Sequence, residues 1–180
     1  YEGVDNSNYP NYTTEKELDG SWEVYFDPEL GGPGSVRFNE LIDWTTSKDE
    51  GIKYYSGSAV YNKNFQFSPQ ENTSYSIQLE NVLDVGIAKI KINGIDKGVV
   101  WTKPFRVDVT NELIEGENNL EVEVINSWYN RVAGDEINPR PDQVTKTNIV
   151  LINDFRGVAR EEIPLEPSGL LGPVTIKKAE

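Results

Sequence analysis

The residues best suited to chemistry stand close together: Trp128, Asn130, Arg131, Asp135 and Glu136 fall in one short stretch. Arg131 can offer paired donors to a carboxylate or to vicinal hydroxyls. The expectation ranked ahead of that is a structural ion pair from Arg131 to Asp135 or Glu136 that fixes the local chain. Asp135 and Glu136 also raise hydrolysis by paired carboxylates, which holds two carboxyl groups about 5–9 Å apart across a cleft. Adjacent residues rarely face one substrate in that way, and nothing in the sequence selects a distant partner. Catalysis by this chain is therefore not expected, and a hydrolase fragment with its own carboxylate site stands only as an alternative.

Composition narrows the chemistry further. The 180 residues contain no Cys, no His and no Met. Disulfides, thiol catalysis and zinc–thiolate sites are excluded, as are the Ser-His-Asp arrangement and nearly all transition-metal sites. A bound metal would be a hard, oxygen-seeking ion such as calcium. The formal charge of −13 makes nucleic acid and anionic membrane poor partners. No apolar run approaches the ~20 residues that cross a bilayer. The chain opens at Tyr1, so it is expected to be a processed chain or an excised piece with neighbouring domains. The triplets Asn11-Tyr12-Thr13 and Asn72-Thr73-Ser74 fit the glycosylation pattern but carry little weight. The Gly-rich run at 31–34 lacks the Lys-Ser/Thr and the helix of a phosphate cradle.

The elements that must position these residues read as strands. Trp22, Val24 and Phe26 alternate with polar neighbours. So do Tyr75, Ile77 and Leu79; Ala88, Ile90 and Ile92; Phe105, Val107 and Val109; and Leu120, Val122 and Val124. Each run is the period-2 signature of a strand with one dry and one wet face. Asn93-Gly94 invites a tight hairpin turn, and Gly116-Glu117-Asn118 acts similarly. Residues 1–20 read as a polar lead-in, and residues 21–180 as one β-sandwich domain with a long loop insertion at about 127–170. That insertion holds four prolines (Pro139, Pro141, Pro164 and Pro167) and one apolar run, Ile149 to Ile152. An irregular stretch of this length is usually functional or disordered, and no amphipathic helix is expected. Eight or nine closely spaced strands predict an all-β, two-sheet jelly-roll sandwich.

An ordered set of short motifs carries a resemblance. It comprises Asp43-Trp44, Lys53-Tyr54-Tyr55-Ser56-Gly57, Asn93-Gly94, Gly98-Val99-Val100-Trp101, Pro104 to Thr110, Gly116-Glu117-Asn118, Asn126 to Arg131, Gly134-Asp135-Glu136 and Ser168 to Val174. Over residues ~20–178 the chain resembles the galactose-binding-like jelly roll of glycoside hydrolases, above all the C-terminal sandwich of the family 106 α-L-rhamnosidase-like enzymes. The sugar-binding domain of family 2 enzymes is a more distant likeness. The resemblance implies an extracellular or periplasmic bacterial setting. It implies two partners: a plant or algal polysaccharide or oligosaccharide, and the catalytic domain of the same parent chain. The barrel that would hold the catalytic acid and base has no room in 180 residues, so the resemblance does not transfer activity.

In that setting Trp101, Trp128, Tyr54 and Tyr55 become candidates for stacking on a pyranose, with Asn130, Arg131, Asp135 and Glu136 as polar contacts. Core packing is expected of Trp22 and Phe105 and is ranked first for Trp101. Trp128 follows a strand and opens the long loop, a placement that suits binding, although a structural role is ranked first for it as well. The resemblance also admits a structural calcium, with Asp27, Asp43, Asp135 and Asp154 as candidate oxygens. The function expected is a non-catalytic carbohydrate-binding or architectural domain. The alternative, of another class, is a purely structural sandwich with no sugar site that only packs on the catalytic barrel.

Overall fold

The computed structural model describes residues 10–139, 143–151 and 159–179. Two antiparallel sheets face each other across one large core. The larger sheet contains β2 (Trp22–Phe26), β3 (Gly34–Phe38), β4 (Ser58–Phe67), β7 (Ile87–Ile92), β8 (Ile95–Val100) and β10 (Gly116–Ile125), in the order β3-β2-β4-β10-β7-β8. The smaller contains β1 (Tyr12–Glu17), β5 (Tyr75–Leu79), β9 (Phe105–Asp108) and β12 (Val174–Ala179), in the order β1-β12-β5-β9. A short ladder joins β6 (Val82–Leu83) to β11 (Gly169–Leu170). The β-sandwich expected from the alternating runs is the fold observed.

The core follows from the strand phase. Trp22, Val24 and Phe26 point inward while Glu23 and Tyr25 point outward. Neighbouring strands of the same sheet deliver Tyr61, Ile90, Ile92, Leu120, Val122 and Val124, and the facing sheet delivers Tyr75, Ile77, Leu79, Val174 and Ile176, all buried. Trp44 lies in the same core and donates from Nε1 to the Tyr61 hydroxyl at 2.6 Å, and that hydroxyl also accepts from Leu170 N at 3.2 Å. Burial pushes the Tyr61 hydroxyl well above its ordinary value, because the phenolate would lose its hydration. Gly169, at φ +106°, lies where a Cβ would stand 2.5 Å from Trp44 Nε1. Only glycine allows the Ser168-Gly169-Leu170 segment to cross that ring.

The two turn motifs form one structural unit. Asn93 and Gly94 both take positive φ and close the β7–β8 hairpin, with Ile92 opposite Ile95. Asn93 then donates from Nδ2 to Asn118 Oδ1 at 2.8 Å, and Asn118 returns bonds to Ile114 O and Gly116 O.

Two expectations are corrected. Residues Tyr12–Glu17 are not a loose lead-in: they form β1, which pairs with β12 along the edge of the smaller sheet. The strand was hidden because an edge position leaves most of its side chains in water, so no dry face appears in its alternation. The stretch after residue 126 is not wholly irregular either. Tyr129–Ile137 forms a helix, α2, longer than α1 (Glu50–Lys53), and its buried residues are Asn130, Arg131, Ala133, Gly134 and Asp135. A helix with a polar buried face shows no apolar period of 3.6. Below it Ala133, Leu151 and Ile163 make a small cluster separate from the main core.

Candidate functional site

The polar residues singled out in the sequence converge on α2, but inside the protein. Asn130 donates from Nδ2 to Glu166 O at 2.7 Å and to Ser168 Oγ at 3.0 Å, and accepts from Glu166 N at 2.9 Å. Asn126, at the end of β10, donates to Tyr55 O and accepts from Gly57 N, both at 2.9 Å. Ser56 Oγ accepts from Arg131 N at 3.0 Å and so satisfies a first-turn amide of the helix. Arg131 Nε stands 3.4 Å from Asp135 Oδ1, with both side chains almost wholly buried. Asp135 Oδ2 accepts from Thr145 N at 2.9 Å and Thr145 Oγ1 at 2.6 Å, and Glu136 Oε2 accepts from Leu151 N at 2.7 Å. The carboxylates thus strap the 143–151 segment to α2. They line a groove of about 190 Å³ together with Thr145, Ile149 and Arg160, yet each is already engaged by backbone or side chain.

Tyr54 and Tyr55 are corrected as stacking candidates. Tyr55 is fully buried, accepts from Asp27 N at 3.0 Å and donates to Ser58 O at 2.8 Å. Desolvation raises its hydroxyl above the ordinary value. Tyr54 is buried against α2, where a Cβ on Gly134 would come within 2.5 Å of the ring. Neither ring has a free face for a sugar.

Asp27 and Asp43, two of the candidate calcium ligands, each have one carboxylate oxygen engaged by neighbouring groups. Asp27 accepts from Glu29 N in its own turn, and Asp43 from Thr45 N and Thr45 Oγ1 in its turn and from Ser168 N, distant in sequence. Asp154 lies outside the described residues. Among the described residues no group of three or more carboxylates gathers as a metal site.

The other two aromatics are where a ligand or partner could reach them. Trp101 is 73% exposed and Trp128 49%, so the core position ranked first for Trp101 is corrected. Both sit at one end of the larger sheet. The ladder there pairs Tyr25 with Val60, Val60 with Glu123, Glu123 with Lys89, and Lys89 with Val99. One row further along, Ile125 pairs with Ile87. Trp101 follows Val99 by two residues and Trp128 follows Ile125 by three. Ser127 N donates to Asp84 Oδ2 at 2.6 Å, which ties the start of α2 to the turn before β7. Tyr25, Val99 and Ile125 are themselves 44%, 55% and 36% exposed. The sequence signal was present: in β8 and β10 an apolar residue stands at a position of the wet phase, where the alternation calls for a polar one. This end of the sheet can stack on or cover another apolar surface, while Lys89–Asp96 and Lys91–Glu121 ion pairs at 2.9 and 2.6 Å border it. The hydrogen bond from Lys89 holds the Asp96 carboxyl below its ordinary range.

Known proteins resemble this chain over nearly its whole length. A candidate beta-glucuronidase of Formosa agariphila is 40% identical over 178 residues, covering 88% of this chain and 15% of that protein. The solved structure of a rhamnosidase from Novosphingobium sp. PP1Y matches with a TM-score of 0.81 and 34% identity, covering 94% of this chain and 15% of that one. A beta-glucuronidase from an uncultured Clostridium shares the fold, with a TM-score of 0.52 over 66% of this chain at 22% identity. No family profile matches. The chain therefore corresponds to a domain-sized segment, about 15% of the length, of proteins named as glycoside hydrolases. No helix among the described residues is long and apolar enough to cross a membrane.

Proposed function

We propose that this chain is a non-catalytic β-sandwich domain of a larger, rhamnosidase-like glycoside hydrolase, and that its role there is architectural. One observation carries the reading: the polar cluster that could have contacted a sugar is spent internally, with Asn130, Arg131 and Asp135 buried and engaged in holding α2 and its strap. The similarity to a 15% segment of two named glycosidases supports the larger setting. On this reading the domain works where the parent meets polysaccharide, outside the cell or in the periplasm.

A second reading, carbohydrate binding, is favoured by the exposure of Trp101 and Trp128. A titration separates the two. The folded chain is offered rhamnose, galactose, uronates and algal polysaccharides, with and without calcium, alongside aryl α-L-rhamnoside and aryl β-D-glucuronide as substrates. Silence throughout is the expected result. Saturable binding weakened by Trp128→Ala would make it a carbohydrate-binding domain. Turnover that disappears in Asp135→Ala or Glu136→Ala would make it a hydrolase in its own right and overturn the proposal.

A further inference from the structure

Among the described residues no helix or strand lies over the outer face of the larger sheet, and its apolar residues are not scattered. Ladder pairing sets Tyr25 and Val60 on one side of Glu123, and Ile125 and Ile87 in the next row. Val99 lies across Lys89 on the edge strand, with Trp101 just beyond it. Tyr25, Val99, Trp101 and Ile125 are exposed and Val60 and Ile87 half-buried, with Glu123 and Lys89 set among them; so many exposed apolar residues at one end of a sheet mark an interaction site rather than ordinary surface.

Charge selects the occupant. Lys89 is committed to Asp96 and Lys91 to Glu121. Glu123, half-buried between Val60 and Lys89, makes no close ion pair or hydrogen bond among the described residues; its charge is felt by Lys91, but that ammonium already pairs with Glu121. Anything that covers the patch removes water from that carboxylate, which is unfavourable unless a cation replaces the water. A neutral pyranose brings no cation and a uronate brings more negative charge. A polypeptide surface can bring both parts: apolar side chains for Val99, Trp101 and Ile125, and an arginine or lysine for Glu123.

We infer that this face is the docking surface for the catalytic portion of the parent enzyme, through an apolar patch carrying one basic side chain that pairs with Glu123. The inference rests on the reading of the chain as a domain of a larger glycosidase. In this arrangement Trp101 is an anchor of the interface, of the aromatic type that dominates such contacts.

The test is hydroxyl-radical footprinting of Trp101 and Trp128 in the chain alone and in the full-length enzyme, paired with melting of Glu123→Lys and of a Val99→Lys, Trp101→Lys double variant in both contexts. Trp101 and Trp128 should both be oxidised several-fold more slowly in the full-length enzyme. The variants should leave the isolated chain's melting nearly unchanged, lower that of the full-length enzyme, and restore fast oxidation of Trp128 there. Equal Trp101 reactivity in the two contexts would overturn the docking surface. So would saturable quenching of Trp101 fluorescence by a rhamnose- or uronate-rich oligosaccharide, which would assign the patch to sugar. Dimerisation of the isolated chain that the double variant abolishes would assign it to a second copy. A full-length protein that cleaves no aryl glycoside would instead remove the functional reading, while the footprint would still report whether this face is covered.

Discussion

Arg131 and Asp135 meet one helical turn apart, Nε to Oδ1 at 3.4 Å, on the buried side of α2. Removing Arg131 leaves the buried Asp135 carboxylate with the Thr145 donors but without this cation, and loss of one partner of a buried pair typically costs about 3–5 kcal/mol. Arg131→Ala should therefore lower the unfolding free energy by an amount of that order in urea titration. Arg131→Met, paired with Asp135→Asn to remove both charges, should recover a large part of the loss. A change below ~0.5 kcal/mol for Arg131→Ala would mean that the pair is solvated in solution.

Gly134 illustrates how packing overrides propensity. In an exposed helix interior, alanine is favoured over glycine by about 1 kcal/mol. At this position a Cβ would stand 2.5 Å from Tyr54 Cγ and 2.6 Å from Tyr54 Cβ, both close to the backbone of a buried residue. Gly134→Ala should accordingly destabilise the chain, by about 1–3 kcal/mol as overpacking does, measured by thermal or denaturant unfolding. Stabilisation instead would show that α2 can shift away from Tyr54 without loss.

The sandwich was legible because its strands bury every second residue: Trp22, Val24 and Phe26, or Leu120, Val122 and Val124, announce a dry face by spacing alone. The helix was not legible, because what α2 buries is Asn130, Arg131 and Asp135, and polar residues leave no apolar rhythm. For the same reason the candidate site divided. Residue chemistry anticipated the ion pair of Arg131 with Asp135 but could not tell that hydrogen bonds from Asn130 to Glu166 and Ser168 turn that cluster inward. Tyr55 and Trp101 exchanged expectations: the aromatic beside a polar turn is core, and the one after Val99-Val100 is the most exposed tryptophan. Only the pairing partners of a residue, which are distant in sequence, decide that.

The Tyr61 hydroxyl supplies a pH dependence of known sign. Its folded-state value is raised above the ordinary 10.0 by burial, so the native state holds the proton more tightly than the unfolded chain. The stabilisation is fully present below about pH 10 and is lost as pH climbs from there toward the folded value. Stability should fall with a slope approaching ~1.4 kcal/mol per pH unit from this group. Tyr61→Phe, which also removes the acceptor for Trp44 Nε1, should be less stable at neutral pH but show a shallower alkaline decline. Denaturant melts of both proteins between pH 8 and about pH 11 provide the comparison; an identical slope in the variant would assign the decline to other groups.

Two tryptophans with opposite environments give the sharpest contrast. Trp22 is 1% exposed, meets Tyr61 edge-on at 6.4 Å and receives the Lys63 ammonium over its ring at 5.6 Å. Trp22→Ala opens a cavity between the sheets and should cost about 3–5 kcal/mol, enough to unfold a marginal domain. Trp101 projects into solvent past the end of β8, so Trp101→Ala should move the unfolding free energy by no more than about 0.5 kcal/mol. Loss of near-ultraviolet circular dichroism should follow the Trp22 change and not the Trp101 change. If Trp101→Ala instead melts the isolated chain, the ring is packed in solution, and it is available neither for a sugar nor for a partner domain.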